Sequence, residues 1–336
     1  MKEHFCKLLL TVLCVFLFVH CEESIDPADR TGVFDEVYRE MQKNYAYFEL
    51  YPFSADSQFE AFRKQIGPAT DDEQLFGIIA GFLRTFEDGH LNIYTPYGTS
   101  TFQFWPGNYV STHLHELYLD GLIFASPSVQ YGYISNSSLG FIKIPDFTQG
   151  APAYEAIRPV MAEFRRREIT GLIIDIRDNI GGNSAHAEII AREFIPGDKP
   201  TFRTRYRNSS ERSSFTDWVD HEITGIESPF SSPVVILTNR LTYSAAETFL
   251  LMVRNQDHVK VIGDVTGGGA GNTISRYLSN GWVLRMSNSQ KRMLEEDLDF
   301  QKIGITPDIR IQATREKAGM NVDEILECAI MELKGN

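Results

Sequence analysis

Cysteine is scarce in this chain. There are four in 336 residues, Cys6, Cys14, Cys21 and Cys328. No Cys/His cluster has the spacing of a zinc site. His113 and His115 would put two imidazoles on one strand face, with no third ligand in the pattern, so no metal is called for. Positive charge is also short, with 32 Lys and Arg against 45 Asp and Glu and a net charge of −13. That argues against a nucleic-acid-binding surface. The densest basic run, Arg165-Arg166-Arg167, reads as the solvated face of a helix. The lysine-bearing phosphate loop is missing. No internal repeat or low-complexity linker is found.

Long hydrophobic runs are missing as well. The longest, Leu8 to Val19, covers about a dozen residues, short of the ~20 needed to span a bilayer. Behind Lys2 and Lys7, and ending at His20-Cys21, it has the plan of a secretory signal peptide. Cys21 at its end resembles a lipidation box, so lipidation at Cys21 is the expectation. The expected location is the cell envelope, with an anchor to the outer membrane through that lipid. Cys6 and Cys14 would leave with the signal, which leaves Cys328 alone and no intramolecular disulfide.

The rest of the chain is rich in pattern. With 43% hydrophobic residues it can bury a large core. Apolar residues at helical spacing (Phe34, Val37, Tyr38, Met41, Tyr45) predict a helix over 33–48. Further helices are predicted at 57–66 and 71–86, the latter introduced by Thr70-Asp71-Asp72-Glu73. Residues 91–135 alternate and carry turns, so they read as short strands. Beyond them, strands at 139–144, 171–176, 233–238, 259–263, 273–278 and 282–286 alternate with helices at 151–167, 184–194, 244–255 and 322–333. That order implies an α/β core. The division expected is a signal peptide at 1–20, a tether at 21–32, a helical domain at 33–90, a strand-rich connector at 91–135 and the α/β core at 136–336.

Two segments carry candidate chemistry. Val234-Val235-Ile236-Leu237 runs into Thr242-Tyr243-Ser244-Ala245-Ala246-Glu247 and then an apolar segment, which reads as strand, loop, helix. Ser244 then stands at a helix start, beside backbone N–H groups that the helix cannot satisfy. It is either a capping serine or a nucleophile whose developing charge those donors hold. Gly171 to Gly182 is a buried strand running into a glycine-rich turn, where backbone N–H groups can face a ligand.

These segments, in order, resemble the tail-specific (C-terminal processing) and tricorn-core serine peptidase family. Asp88-Gly89-His90 is similar to its D-G-H, and Leu139 to Phe147 to the strand that opens its catalytic domain. Asp175 to Gly182 resembles its D-L-R-x-N-x-G-G, and Ser244 to Glu247 its S-A-x-E. Ile262 to Gly267 and Gly304 to Ile309 match its I-G-x-x-T-x-G and G-V-x-P-D-I. The resemblance implies a Clp protease/crotonase-like α/β core preceded by a small N-terminal helical domain. It implies no cofactor and a peptide or unfolded-protein substrate. About 48 residues separate His90 from Leu139, too few for the family's PDZ domain of roughly 80–100.

The family's serine–lysine scheme puts a lysine 25 residues after the serine, where this chain has Gly269. Its tricorn-like scheme uses a histidine, and His90 stands at that position. The resemblance therefore implies Ser244 as nucleophile, His90 as general base, and an oxyanion hole from the N–H of Ala245 with Gly181 or Gly182. The carboxylate that orients the histidine is replaced by Gln301, with Asp299 nearby. In the best-characterised serine triad, such an amide exchange lowers turnover by about 10⁴. The alternative reading is a catalytically impaired member acting as a peptide-binding surface lipoprotein. A crotonase-like acyl-CoA enzyme is a third reading, disfavoured by the export signal.

Overall fold

The computed structural model describes residue 26 and residues 28–51, 53–102, 113–294 and 297–335. The proposed signal and Cys21 lie outside the described residues. Helix α1 (Arg30–Asn44) buries Val33, Phe34, Val37, Tyr38 and Met41 on one face, the spacing seen in the sequence. Helices α2 (Ala55–Arg63) and α3 (Asp72–Arg84) follow. Asp71 starts α3 with a capping box. Its carboxylate accepts the Gln74 N–H at 2.8 Å, and its own N–H donates to Gln74 Oε1 at 3.0 Å. Phe34, Phe59, Phe82 and Phe86 form a stacked and edge-on cluster between the helices.

Strands β1 (Asn92–Thr95) and β2 (Gly98–Thr99) come next. His113 and His115 then fall in a short 3₁₀ helix, His113–Tyr118, and not on the strand expected there. The His115 ring is buried and stacks on Phe141 at 5.5 Å, so an aromatic partner absorbs it. Strands β3 (Leu119–Ser126), β4 (Val129–Ile134) and β5 (Leu139–Lys143) follow. The helix expected over 151–167 is two, α4 (Ala151–Glu155) and α5 (Ile157–Arg166). Pro159 explains the break, since it has no N–H for the Glu155 carbonyl and its ring crowds that oxygen. Then come β6 (Gly171–Asp175), α6 (Ser184–Ala191), β7 (Asp198–Tyr206), β8 (Val219–Thr224), β9 (Val234–Thr238), α7 (Ala245–Val253), β10 (Val259–Gly263), β11 (Thr273–Tyr277), β12 (Val283–Ser287), β13 (Ser289–Met293), β14 (Ile309–Arg310), α8 (Arg315–Gly319) and α9 (Glu324–Gly335).

The central sheet has the order β14-β10-β9-β6-β5-β4-β3, with β5, β6, β9, β10 and β14 parallel. Its middle strands are buried on both faces. Leu172 and Ile174 point to the core that includes α5, α6 and α7. Ile173 points to the opposite core, which includes Ile325, Leu326 and Ala329 of α9. That double burial is why β6 and β9 read as unbroken apolar runs. Two antiparallel sheets flank it, β11-β12-β1-β2 and β13-β7-β8. The chain passes from one to the other at Asn288, between β12 and β13. Among the described residues no helix is long and apolar enough to cross a membrane. The loops after β6 and β9 lie together at the carboxyl ends of parallel strands, where α/β sheets form their ligand crevices.

Candidate active site

Ser244 occupies the N-cap position of α7, but not with the extended backbone of a capping residue. Its φ is +57° and ψ −115°, a conformation that costs a non-glycine residue about 1–3 kcal/mol. Two contacts enforce it. The Tyr243 N–H donates to the Asn179 carbonyl at 2.9 Å, and the Ser244 N–H donates to Glu247 Oε2 at 2.8 Å.

The glycine turn after β6 packs directly on this serine. A Cβ on Gly181 would lie 2.7 Å from Ser244 Cβ and 2.9 Å from the Ala245 nitrogen. One on Gly182 would lie 2.3 Å from the Phe147 carbonyl, and both residues have positive φ. Only glycine fits either place. The Gly181 N–H is committed to Asn179 Oδ1 at 2.9 Å. Gly182 lines the cleft at Ser244. Among the described residues neither its N–H nor that of Ala245 has an acceptor.

Glu247, in the first turn of α7, is fully buried. Its carboxylate accepts four donors: the N–H groups of Ser244, Gly268 and Gly269, each at 2.8 Å, and the Thr266 hydroxyl at 2.5 Å. It ties the serine elbow to the glycine loop at 266–271. Burial raises its carboxyl pKa, against the pull of those hydrogen bonds.

The glycine loop also shows why Gly269 carries no side chain. A Cβ there would sit 2.3 Å from Cζ of Tyr243. The Tyr243 ring fills that space, and on its other contact lies the His90 imidazole, with centroids 4.9 Å apart. His90 is buried, its backbone N–H donating to Asp88 Oδ1 at 2.8 Å. Its Nδ1 is 3.4 Å from Ser287 Oγ. Burial lowers its pKa to about 3, helped by the positive charges of Arg285 and Lys291, so the ring is neutral at physiological pH. Among the described residues no hydrogen bond joins His90 to Ser244.

Gln301 is turned away from the role implied for it. Its Oε1 accepts the Ala270 N–H at 2.8 Å, and its amide donates to the Asp88 carboxylate. An amide can bridge an N–H and a carboxylate, whereas a glutamate there would face Asp88 with like charge. Asp299 accepts the Gln301 N–H at 2.9 Å, which places it behind Gln301.

The cleft itself holds about 480 Å³ and is lined by Gly182, Ser244, Thr248, Ala270, Arg285 and Lys291, among others. Lys291 lies on β13, in the one flanking sheet whose strands the sequence did not announce. Its Nζ donates to the Thr248 hydroxyl at 2.7 Å and sits 4.9 Å from the Phe202 ring centroid. No group of three His, Cys, Asp or Glu among the described residues is placed to hold a metal.

A family model for peptidase family S41 matches residues 138–311, more than half of the chain. The chain belongs to peptidase family S41. It is 27% identical over 146 residues to the carboxy-terminal processing protease CtpB of Bacillus subtilis, a stretch covering 44% of this chain and 28% of that one. It is 26% identical over 171 residues to the carboxyl-terminal-processing protease of Synechocystis, covering 51% and 37%. The S41 chain thus spans well under half the length of these relatives. A solved Parabacteroides merdae structure, described as a candidate peptidase, superposes with a TM-score of 0.81 at 27% identity, over 92% of this chain and 97% of that one.

Within this S41 chain, the sequence pattern named Ser244, Gly181, Gly182 and His90 as site candidates, of which the first three come together here. It missed Glu247 as an anchor, Tyr243 as the filler above Gly269, Ser287 against His90, and Lys291. The first of these had a signal, a glutamate three residues into a helix behind a serine. The others come together only through pairing between distant strands.

Proposed function

We propose that this S41 chain is a serine endopeptidase acting on exported proteins or peptides. The observation that carries the reading is Ser244 itself. A serine held at positive φ, with the unpaired N–H groups of Ala245 and Gly182 beside it, is arranged for a tetrahedral oxyanion.

Ser244 Oγ attacks the scissile carbonyl, and the oxyanion forms against the Ala245 and Gly182 donors. Loss of one such donor costs about 10²–10³ in rate. His90, neutral when free, takes the hydroxyl proton and later protonates the leaving amine. Its hydrogen bond to Ser244 forms when substrate enters, as catalytic contacts often tighten only in the complex. Among the described residues no carboxylate hydrogen-bonds the ring to steady the imidazolium, so turnover falls below that of a complete triad. Gln301 holds Asp88 and the glycine loop in register. The chain is exported and held at the cell envelope by lipid on Cys21, which a Cys21→Ser variant released from membranes would support.

A fluorophosphonate probe tests the chemistry. Wild-type protein should be labelled, Ser244→Ala not at all, and His90→Ala at least ~100-fold more slowly. A folded wild type that takes up no label while still binding peptide would leave the peptide-binding surface lipoprotein as the better reading.

A further inference from the structure

The chain carries a net charge of −13, yet the lining of the cleft at Ser244 includes two cations, Arg285 and Lys291, and no carboxylate. Neither cation has a carboxylate within ion-pair distance among the described residues. Lys291 is only 4% exposed, and a lysine buried that deeply is ordinarily paired. Its ammonium meets one hydroxyl, Thr248 Oγ1, and the face of Phe202, which offset part of the desolvation. Burial lowers its pKa to about 8, against a partial rise from Glu247. Arg285 donates to the Thr273 hydroxyl at 3.3 Å and to no anion.

Lys291 also stands in a wall between two spaces. A side pocket of about 250 Å³, lined by Phe202, Asp220 and His221 among others, shares Ser184, Asn272 and Lys291 with the cleft; its Asp220 forms an ion pair with Arg203 at 3.3 Å. Any chain that reaches Ser244 from that side passes the ammonium.

We propose that the cleft recognises a substrate carboxylate close to the scissile bond, either an acidic side chain or the free C-terminus of the peptide, held by Lys291 and Arg285. This rests on the peptidase reading of Ser244. A charge left unpaired in the free protein and paired by the ligand discriminates sharply, because an uncharged analogue leaves the buried ammonium without its partner.

The test measures binding to Ser244→Ala, so that it does not depend on turnover, while probe labelling of the wild type reports separately on the peptidase reading. The probes are fluorescein-labelled octapeptide mixtures in which one position is Glu or Gln and the C-terminus is free or amidated. The acidic or free-carboxylate set should bind at least ~30-fold more tightly than its neutral match. The Glu/Gln and free/amide arms tell the two carboxylate sources apart. Adding Lys291→Met should shrink the preference to within about 3-fold, and Lys291→Arg should retain most of it. Arg285→Gln gives a second variant should Lys291→Met fail to fold, with a smaller loss expected. Equal binding of acidic and neutral sets overturns the inference. So does a Lys291→Met protein that keeps the preference but loses Ser244 labelling in the otherwise wild-type background, since that result places the lysine in proton transfer.

Discussion

Two groups of buried charges lie near the loop after β6, and they are built in opposite ways. In the first, Arg177 forms ion pairs at 2.7 Å with both Asp175 and Asp323, and Lys143 approaches Asp175 at 3.3 Å and the Arg177 carbonyl at 3.0 Å. Burial pushes the Asp175 carboxyl up, yet Arg177 and Lys143 together pull it well below the ordinary range. In the second, at the cleft, Lys291 is buried too, and neither it nor Arg285 has a carboxylate within ion-pair distance among the described residues. The closed network locks the glycine turn onto the sheet. The open group keeps its charges for a ligand, at a cost in stability, as functional sites commonly do.

The largest effect should come from breaking the closed network. Arg177→Met leaves Asp323 without its cation and Asp175 with Lys143 alone, and should lower the unfolding free energy by about 3–5 kcal/mol in urea titrations. A loss under about 1 kcal/mol would mean that the pairs do not hold the turn. Next comes Glu247→Gln, which points an amide N–H₂ at some of four converging donors. Ser244 labelling should slow by about 10²-fold and stability drop by about 2 kcal/mol. Labelling at the wild-type rate would show that the elbow stands without that anchor. Gly269→Ala should cost about 1–3 kcal/mol through contact with Tyr243, measured by thermal melting. In a Tyr243→Ala background, itself destabilised by loss of a buried ring, the further loss from Gly269→Ala should vanish. If Gly269→Ala costs as much in that background as in wild type, the ring is not what excludes a side chain at 269.

The comparison also explains what was legible in the sequence. The double burial of β6 and β9 made them apolar runs, and the elbow serine and the two glycines have backbone duties that few residues can perform. Those features are local, so they could be read. The pairing that closes the charge network is not local. Arg177 meets Asp323 across 146 positions, and nothing at either site announces the other. The strands β7, β8 and β13 hid for a related reason. Arg203, Arg205, Lys291 and Arg292 interrupt their apolar pattern, and some of those charges find aromatic faces, as Arg205 does on Phe215 and Trp218. The amide at 301 looked like a weakened triad from sequence. Beside Asp88 it is the residue that can accept from Ala270 and donate to a carboxylate at once.

The most direct test of the contrast is the stability of Lys291→Met across pH. With a folded-state pKa of about 8 against 10.5 unfolded, the unfolded chain binds the extra proton between those values. Wild-type stability contributed by this group therefore rises with pH from about 8 to 10.5. Lys291→Met should be more stable than wild type at pH 7, by about 1–3 kcal/mol, and should lose that rise. A variant less stable than wild type by more than about 1 kcal/mol at pH 7 would contradict the account, because Lys291 would then hold the fold as Arg177 does.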